Sequence, residues 1–140
     1  EYIMLGLGGQ ERWEQHIEGS AKVLKTIDPH FIRVRTLAYA HGAPTFEELD
    51  VRSGKFKFKL YPEGYAELQT PEGILLELRT LLNKLEGISS HLTCDHSSNY
   101  FPEVRGDLPK DLEAMLLVLD IYENGITEGL VKLPRVKLFT

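Results

Sequence analysis

A strand, a helix and a second strand follow one another within the first 37 residues, and this order constrains the fold more than any other feature. The first strand is the apolar run Tyr2 to Leu5, which ends in the glycine-rich turn Gly6 to Gly9. The second strand is Phe31 to Leu37. Two strands joined by a helix form the crossover unit of a parallel sheet, whose strands are apolar when both faces are covered. The sequence therefore predicts an α/β fold.

Three stretches have the periodicity of amphipathic helices, with apolar residues every three or four positions on one face. Asp28-Pro29 should end the first helix, because proline cannot continue it and restricts its predecessor. Thr70 should cap the second, Pro71 should be its first residue and Gly87 should follow its end. Leu108-Pro109 should open the third. The predicted buried residues are Trp13, Ile17, Ala21, Leu24 and Ile27 in the first helix, Ile74, Leu75, Leu78, Leu81, Leu82 and Leu85 in the second, and Leu112, Met115, Leu116, Leu119 and Tyr122 in the third.

Between the second strand and the second helix, residues 38–70 break this pattern and resemble an insertion. Thr45 to Leu49 is predicted to form a helical turn. Lys55 to Lys59 alternates lysine with phenylalanine, which is typical of a strand with the lysines on one face. We interpret it as an edge strand whose lysines discourage further pairing, in preference to a strip that binds nucleic acid.

Composition excludes several classes of protein. The chain of 140 residues suits one domain but is short for an eight-unit α/β barrel of roughly 250 residues. It has no run near the roughly 18 apolar residues of a membrane span. A net charge of −5 gives no general attraction to nucleic acid or to an anionic membrane. The single cysteine, Cys94, cannot form an internal disulfide, and the N-terminus lacks the pattern of a signal peptide, so we expect a cytoplasmic protein.

Six segments, through their order and spacing, carry a resemblance to a known family. They are residues 2–10, 16–21, 28–37, 54–56, 94–100 and 106–111. Together they resemble the C-terminal half of radical SAM proteins, in the branch of oxygen-independent coproporphyrinogen oxidase and the methylthiotransferases. The similarity extends to about Tyr122. The chain also begins with Glu1 in place of methionine and enters a strand at once, which we expect of a piece of a longer protein.

The resemblance implies that the chain supplies the C-terminal strands and helices of a partial (β/α)6 TIM-like barrel. Residues 1–37 would form the last β-α-β part of that barrel, and residues 38–140 a C-terminal α/β extension of the same unit. Proteins of this family bind a [4Fe-4S] cluster and S-adenosylmethionine (SAM), and cleave SAM to a 5′-deoxyadenosyl radical. The family's fifth-strand pattern, GxIxGxxG, is matched at Met4, Gly6 and Gly9, whereas Tyr2 occupies the place of its first glycine.

The family's cluster motif, CxxxCxxC, and its Gly-Gly-Glu motif are both absent from this chain. One cysteine cannot supply three thiolate ligands to an iron-sulfur cluster. The resemblance therefore implies a full-length Fe-S oxidoreductase whose N-terminal remainder carries the cluster cysteines. On this segment alone we expect no catalytic activity, no SAM and no cluster. The substrate, small or macromolecular, is not indicated.

The loop at Gly6, Gly8 and Gly9 is the first candidate site. Glycines between a strand and a helix let backbone N–H groups approach a ligand, although a tight turn requires them equally. The resemblance implies that they bind the adenosyl part of SAM. Two alternatives stay open: a nucleotide- or phosphate-binding module that uses this loop, and a non-enzymatic interaction domain.

Arg33 and Arg35 are two positions apart and should share one face of their strand. If that strand is buried on both faces, the two guanidinium groups need anionic partners, which a cofactor carboxylate, an acidic substrate or a neighbouring Asp or Glu can provide. Arg35 lies nearer the C-terminal end of the strand, where barrel sites lie. We therefore expect Arg35 to bind the cofactor, and Arg33 to contact protein or substrate.

A polar loop after the candidate strand His91 to Cys94 provides the last candidates. Asp95, His96 and Asn99 are predicted to contact substrate or to be ordinary loop residues. His91 and Cys94 should face opposite ways on a strand, and no second pair completes a tetrahedral set, so we predict no metal site. Cys94 is expected to be a small buried hydrophobic residue.

Overall fold

The structure, a computed structural model, describes residues 1–40, 57–60, 64–135 and 138–139. This part of the chain contains three helices packed on a mixed four-stranded sheet, which confirms the α/β class. The predicted helical turn at Thr45 to Leu49 lies outside the described residues. In chain order the elements are β1 (Tyr2–Leu5), α1 (Trp13–Ile27), β2 (Phe31–Thr36), β3 (Tyr39–Ala40), β4 (Lys57–Leu60), β5 (Gly64–Glu67), α2 (Pro71–Lys84), β6 (His91–Thr93), β7 (Arg105–Asp107), α3 (Leu112–Thr127) and β8 (Leu138–Phe139).

The central sheet has the strand order β1-β2-β6-β7. The first three strands are parallel, and β7 runs antiparallel to β6. The predicted crossover unit at the start of the chain is therefore confirmed. Because β6 lies next to β2, residues on both sides of the expected boundary at position 37 build one sheet. Elsewhere β4 pairs with β5, and β3 pairs with β8. A strand is therefore confirmed within the lysine-rich stretch, although the first two residues of the predicted strand, Lys55 and Phe56, lie outside the described residues.

All three described helices lie on one face of this sheet. Helix α2 packs between α1 and α3, and their apolar faces cover inward residues of the strands such as Leu5, Val34 and Leu92. Burying this many apolar side chains provides the main driving force for folding. None of the helices in this part of the chain has the length and apolar character needed to cross a lipid bilayer.

The opposite face of the sheet is left uncovered by the described residues. Along β2, exposed and buried side chains alternate, and Phe31 is 60% exposed. On the adjoining strand Tyr2 is 61% exposed. In this part of the chain the sheet is therefore covered on one face only. Charged residues at alternate positions of β2 already have the period of a half-buried strand.

The helix boundaries follow the local signals in the sequence. The hydroxyl of Thr70 accepts a hydrogen bond from the N–H of Gly73 at 2.9 Å, and Pro71 opens α2. Asp28 adopts a left-handed conformation with φ of 46° and ends α1. The six residues predicted to be buried on α2 are all buried, whereas Ile27, at the last turn of α1, is 50% exposed. That residue follows the apolar spacing but lies beyond the edge of the core.

Candidate functional site

Two regions of the sheet carry the predicted site residues. The first is the top edge, where β1, β2 and β6 end and the chain continues at Gly6, Leu37 and Cys94. The second is the open face, which we define as the sheet surface opposite the helices. Its side chains are those of Tyr2, Met4, Phe31, Arg33, Arg35, His91, Thr93, Arg105 and Asp107.

At the top edge, three backbone N–H groups of the glycine loop are hydrogen-bonded within the chain. The N–H of Gly6 donates to Oε2 of Glu77 at 2.9 Å, and the N–H of Gly9 donates to the carbonyl of Gly6 at 3.0 Å. The N–H of Gln10 donates to the carbonyl of Glu67, also at 3.0 Å. A phosphate-binding loop needs such donors to be available to the ligand. The loop geometry therefore does not favour the nucleotide- or phosphate-binding alternative.

Close contacts within the chain account for two of the three glycines. A Cβ atom at Gly8 would lie 2.6 Å from the carbonyl oxygen of Arg12. Gly9 has a φ of +63°, and a Cβ atom there would lie 2.7 Å from the carbonyl oxygen of Glu67. Both contacts are too short for any side chain. These glycines are needed for the packing of the loop, whatever ligand approaches it.

The top edge also contains Glu77, which the sequence prediction missed. Its side chain is 0% exposed, and burial raises its pKa to about 8, against the smaller lowering effect of the hydrogen bond from Gly6. The group is therefore mostly a neutral acid at pH 7. Its Oε1 atom has no hydrogen-bond partner among the described residues. The sequence did contain a signal, since Glu77 lies three positions after Ile74 and four before Leu81, on the apolar stripe of α2.

Asn99 joins the ends of β2 and β6. Its Nδ2 donates to the carbonyls of Val34 at 2.7 Å and Cys94 at 2.8 Å, and its Oδ1 accepts from the hydroxyl of Thr36 at 2.9 Å. The residue is buried. Three hydrogen bonds use most of the capacity of one amide side chain. Asn99 therefore holds the two strand ends together, and its amide faces protein instead of the cavity described below.

The remaining residues after β6 have separate environments. The N–H of Ser98 donates to Nδ1 of His96 at 3.1 Å, which fixes the ring against its own loop. Cys94 is buried, and burial first, with the charge of Asp95 second, raises the pKa of its thiol to about 12. The expected role of Cys94 as a small core residue is confirmed. In the described part of the chain, no three His, Cys, Asp or Glu side chains come together as metal ligands.

On the open face, the two arginines of β2 differ in their surroundings. The guanidinium of Arg35 lies over the ring of Tyr2, 4.7 Å from its centre, in cation–π geometry. Its Nε atom is buried without a hydrogen-bond partner among the described residues. Arg33 is more exposed. No carboxylate in the described residues forms an ion pair with either arginine, so the expected structural pair is not seen there.

Beside Arg33, a cavity of about 220 Å³ opens between β2 and β6. Nδ1 of His91 is 2.7 Å from Oδ1 of Asp107, and the ring of His91 meets that of Phe31 edge-on at 6.2 Å. The cavity is lined by Phe31, Ile32, Arg33, His91, Thr93 and Asp95. Two of the predicted substrate residues, Arg33 and Asp95, therefore come together here. Thr93 and Asp107 were not predicted as site residues.

A larger cleft of about 540 Å³ lies between α1 and α2, on the helical side of the sheet. Its lining is rich in exposed lysines and glutamates and includes none of the predicted site residues. We therefore place the candidate site on the open face, where the predicted residues meet in a cavity.

No family model, curated protein or solved structure matches the chain. Functional assignment therefore depends on the residues themselves and on the arrangement of the sheet.

Proposed function

We propose that the chain forms the C-terminal part of a cytoplasmic radical SAM enzyme, with the open face lining the interior of a partial (β/α)6 TIM-like barrel. The observation that carries this proposal is the position of the three described helices on one side of three parallel strands. Doubly wound α/β folds place helices on both faces, whereas barrels place helices outside and strand side chains inside. A parallel sheet is rarely exposed on one face, and further barrel strands would cover it.

The cluster ligands in this proposal come from the N-terminal remainder of the barrel. The only cysteine, Cys94, is buried in the core and cannot hold a [4Fe-4S] cluster alone. When bound, the cluster and SAM supply the radical chemistry, and this chain supplies part of the pocket wall. Arg35 fits a contact with SAM, because its buried Nε lacks a described partner near the C-terminal end of β2. The N–H groups of Gly6 and Gly9 fit less well, because they are bonded within the chain.

Anaerobic reconstitution tests the proposal. The full-length protein that contains this chain, treated with iron and sulfide, should acquire a cluster, absorb visible light and convert SAM to 5′-deoxyadenosine when reduced. The 140-residue chain should acquire no cluster under the same conditions. A full-length protein that neither binds iron nor cleaves SAM contradicts the proposal, and so does a stoichiometric cluster on the 140-residue chain.

The proposed contact between Arg35 and SAM can be tested separately. In the reconstituted full-length protein, Arg35→Met should lower SAM affinity roughly ten- to hundredfold, because a charge-assisted hydrogen bond is lost. Iron content should not change. Arg79→Met removes the same charge from α2, where Arg79 pairs with Asp120 and Glu123, and serves as the control. Equal SAM affinity in both variants, measured by calorimetry, would remove Arg35 from the proposed pocket.

A further inference from the structure

Backbone pairing places four residues of the open face side by side across the sheet. Tyr2 pairs with Arg33, Arg33 with Thr93, and Thr93 with Arg105. Paired residues of neighbouring strands project from the same face. Thr93 therefore lies between two arginines that belong to different strands, β2 and β7, and that are 72 positions apart in the sequence.

The spacing of these two arginines suits one shared ligand. Neighbouring strands are about 4.8 Å apart, so the backbones of Arg33 and Arg105 are separated by roughly 10 Å, with Thr93 between them. Both side chains are exposed. A guanidinium presents a planar fork of N–H donors that matches the oxygens of a carboxylate or a phosphate. Two such forks can reach the space above the Thr93 hydroxyl.

The charges around this space favour an anion. Among the described residues, no carboxylate pairs with Arg33 or Arg105, and Arg35 adds a third guanidinium further along β2. Asp107 is engaged by Nδ1 of His91. The negative charge of Asp95, which lines the cavity, disfavours the binding of an anion. The whole chain has a net charge of −5, so this cationic surface is a local feature and not a consequence of composition.

We infer that the open face contains an oxyanion site, in which Arg33 and Arg105 clamp a phosphate or carboxylate group of a small ligand above Thr93. The adjoining cavity of about 220 Å³ is smaller than the roughly 300 Å³ at which pockets for whole drug-sized ligands begin. It accommodates the anionic end of a ligand. The inference depends on strand register and charge, and it does not require that the chain belong to a radical SAM barrel.

Nuclear magnetic resonance titration of the ¹⁵N-labelled 140-residue chain tests this site. Inorganic phosphate and succinate are added separately, and chloride keeps the ionic strength constant. Saturable shifts should concentrate on the amides of Arg33, Thr93 and Arg105. Arg33→Gln and Arg105→Gln should each raise the dissociation constant roughly tenfold or more. Arg79→Gln removes the same charge from the helical side of the sheet and should leave the constant unchanged.

The outcomes are distinguishable. Saturation by phosphate alone assigns a phosphate ligand, saturation by succinate alone assigns a carboxylate, and saturation by both supports the shared chemistry. Asp95→Asn should strengthen binding, because it removes a like charge. Circular dichroism checks that the variants at these exposed positions stay folded. Shifts that spread over the surface without saturating, or dissociation constants that are equal in the Arg33, Arg105 and Arg79 variants, would overturn the inference.

Discussion

Glu77→Gln isolates the effect of one buried carboxyl group on stability. The side chain of Glu77 is fully buried, and its Oε2 accepts a hydrogen bond from the N–H of Gly6 at 2.9 Å. Burial raises its pKa from 4.5 to about 8. Glutamine has nearly the same shape and retains an oxygen that can accept from Gly6, but it does not titrate.

The sign of the pH dependence follows from proton binding. Between pH 4.5 and about 8, folded Glu77 keeps a proton that the unfolded chain has released. The unfolded state therefore binds fewer protons, and this group makes stability fall as pH rises, by about 1 kcal/mol per pH unit. Its contribution is fully present below pH 4.5 and is lost as pH rises through about 8. Since one pKa unit corresponds to about 1.36 kcal/mol, the total loss is on the order of 5 kcal/mol.

Urea unfolding at pH 5, 6, 7 and 8 measures this effect. The free energy of unfolding of Glu77→Gln, relative to the wild-type chain, should rise by about 1 kcal/mol with each pH unit, and by less as pH approaches 8. Glu72→Gln removes an exposed carboxyl group from the first turn of the same helix and controls for the change in net charge. If the wild-type chain and both variants lose stability in parallel across this range, Glu77 is not a buried neutral acid and the reasoning fails.

Three further substitutions test the loops around the top edge by urea unfolding. Asn99→Ala should lower the free energy of unfolding by about 2–4 kcal/mol, because it removes three buried hydrogen bonds. The control Asn83→Ala, at an exposed position, should change it by less than about 0.5 kcal/mol, and equal effects of the two substitutions would show that Asn99 does not join the strands. Gly9→Ala should lower the free energy of unfolding by more than about 1 kcal/mol, because its Cβ atom would lie too close to the carbonyl oxygen of Glu67, and a stabilised Gly9 variant would contradict that contact. The control Gly19→Ala, in a helix with open space around the residue, should raise the free energy of unfolding by roughly 0.5–1 kcal/mol. Thr70→Ala should lower stability by about 1 kcal/mol through loss of the helix cap, and no change would mean that the cap hydrogen bond does not persist in solution.

Much of the fold could be predicted because local signals and long-range packing agree. The six apolar residues predicted on α2 are buried, and Thr70 caps the helix as its position before Pro71 indicates. The strands β1 and β2 were visible as short runs bounded by turn residues. By contrast, β7 is three residues long and contains a glycine within a polar stretch, so no periodicity marked it. Its place beside β6 depends on tertiary pairing.

The candidate site was predicted less completely than the fold. Arg33 and Asp95 meet in the cavity as predicted substrate residues, but Asn99 holds two strands together, because a polar side chain after a strand can serve either purpose. Arg105 was overlooked because Arg33, which lies on the other side of Thr93 in the sheet, is 72 positions earlier in the sequence. The open face itself was not predicted, although the charged residues at alternate positions of β2 have the period of a half-buried strand.

The alternation along β2 separates two kinds of evolutionary constraint. Ile32 and Val34 point into the core, so exchanging them disturbs the packing of the helices. Phe31, Arg33 and Arg35 point the other way, where replacement leaves that packing intact. A shift of pairing by one residue would bury the arginines, so the apolar residues also keep the outward side chains in register. A lineage could therefore replace the outward residues and acquire a new ligand on an inherited framework, without having to re-evolve the fold.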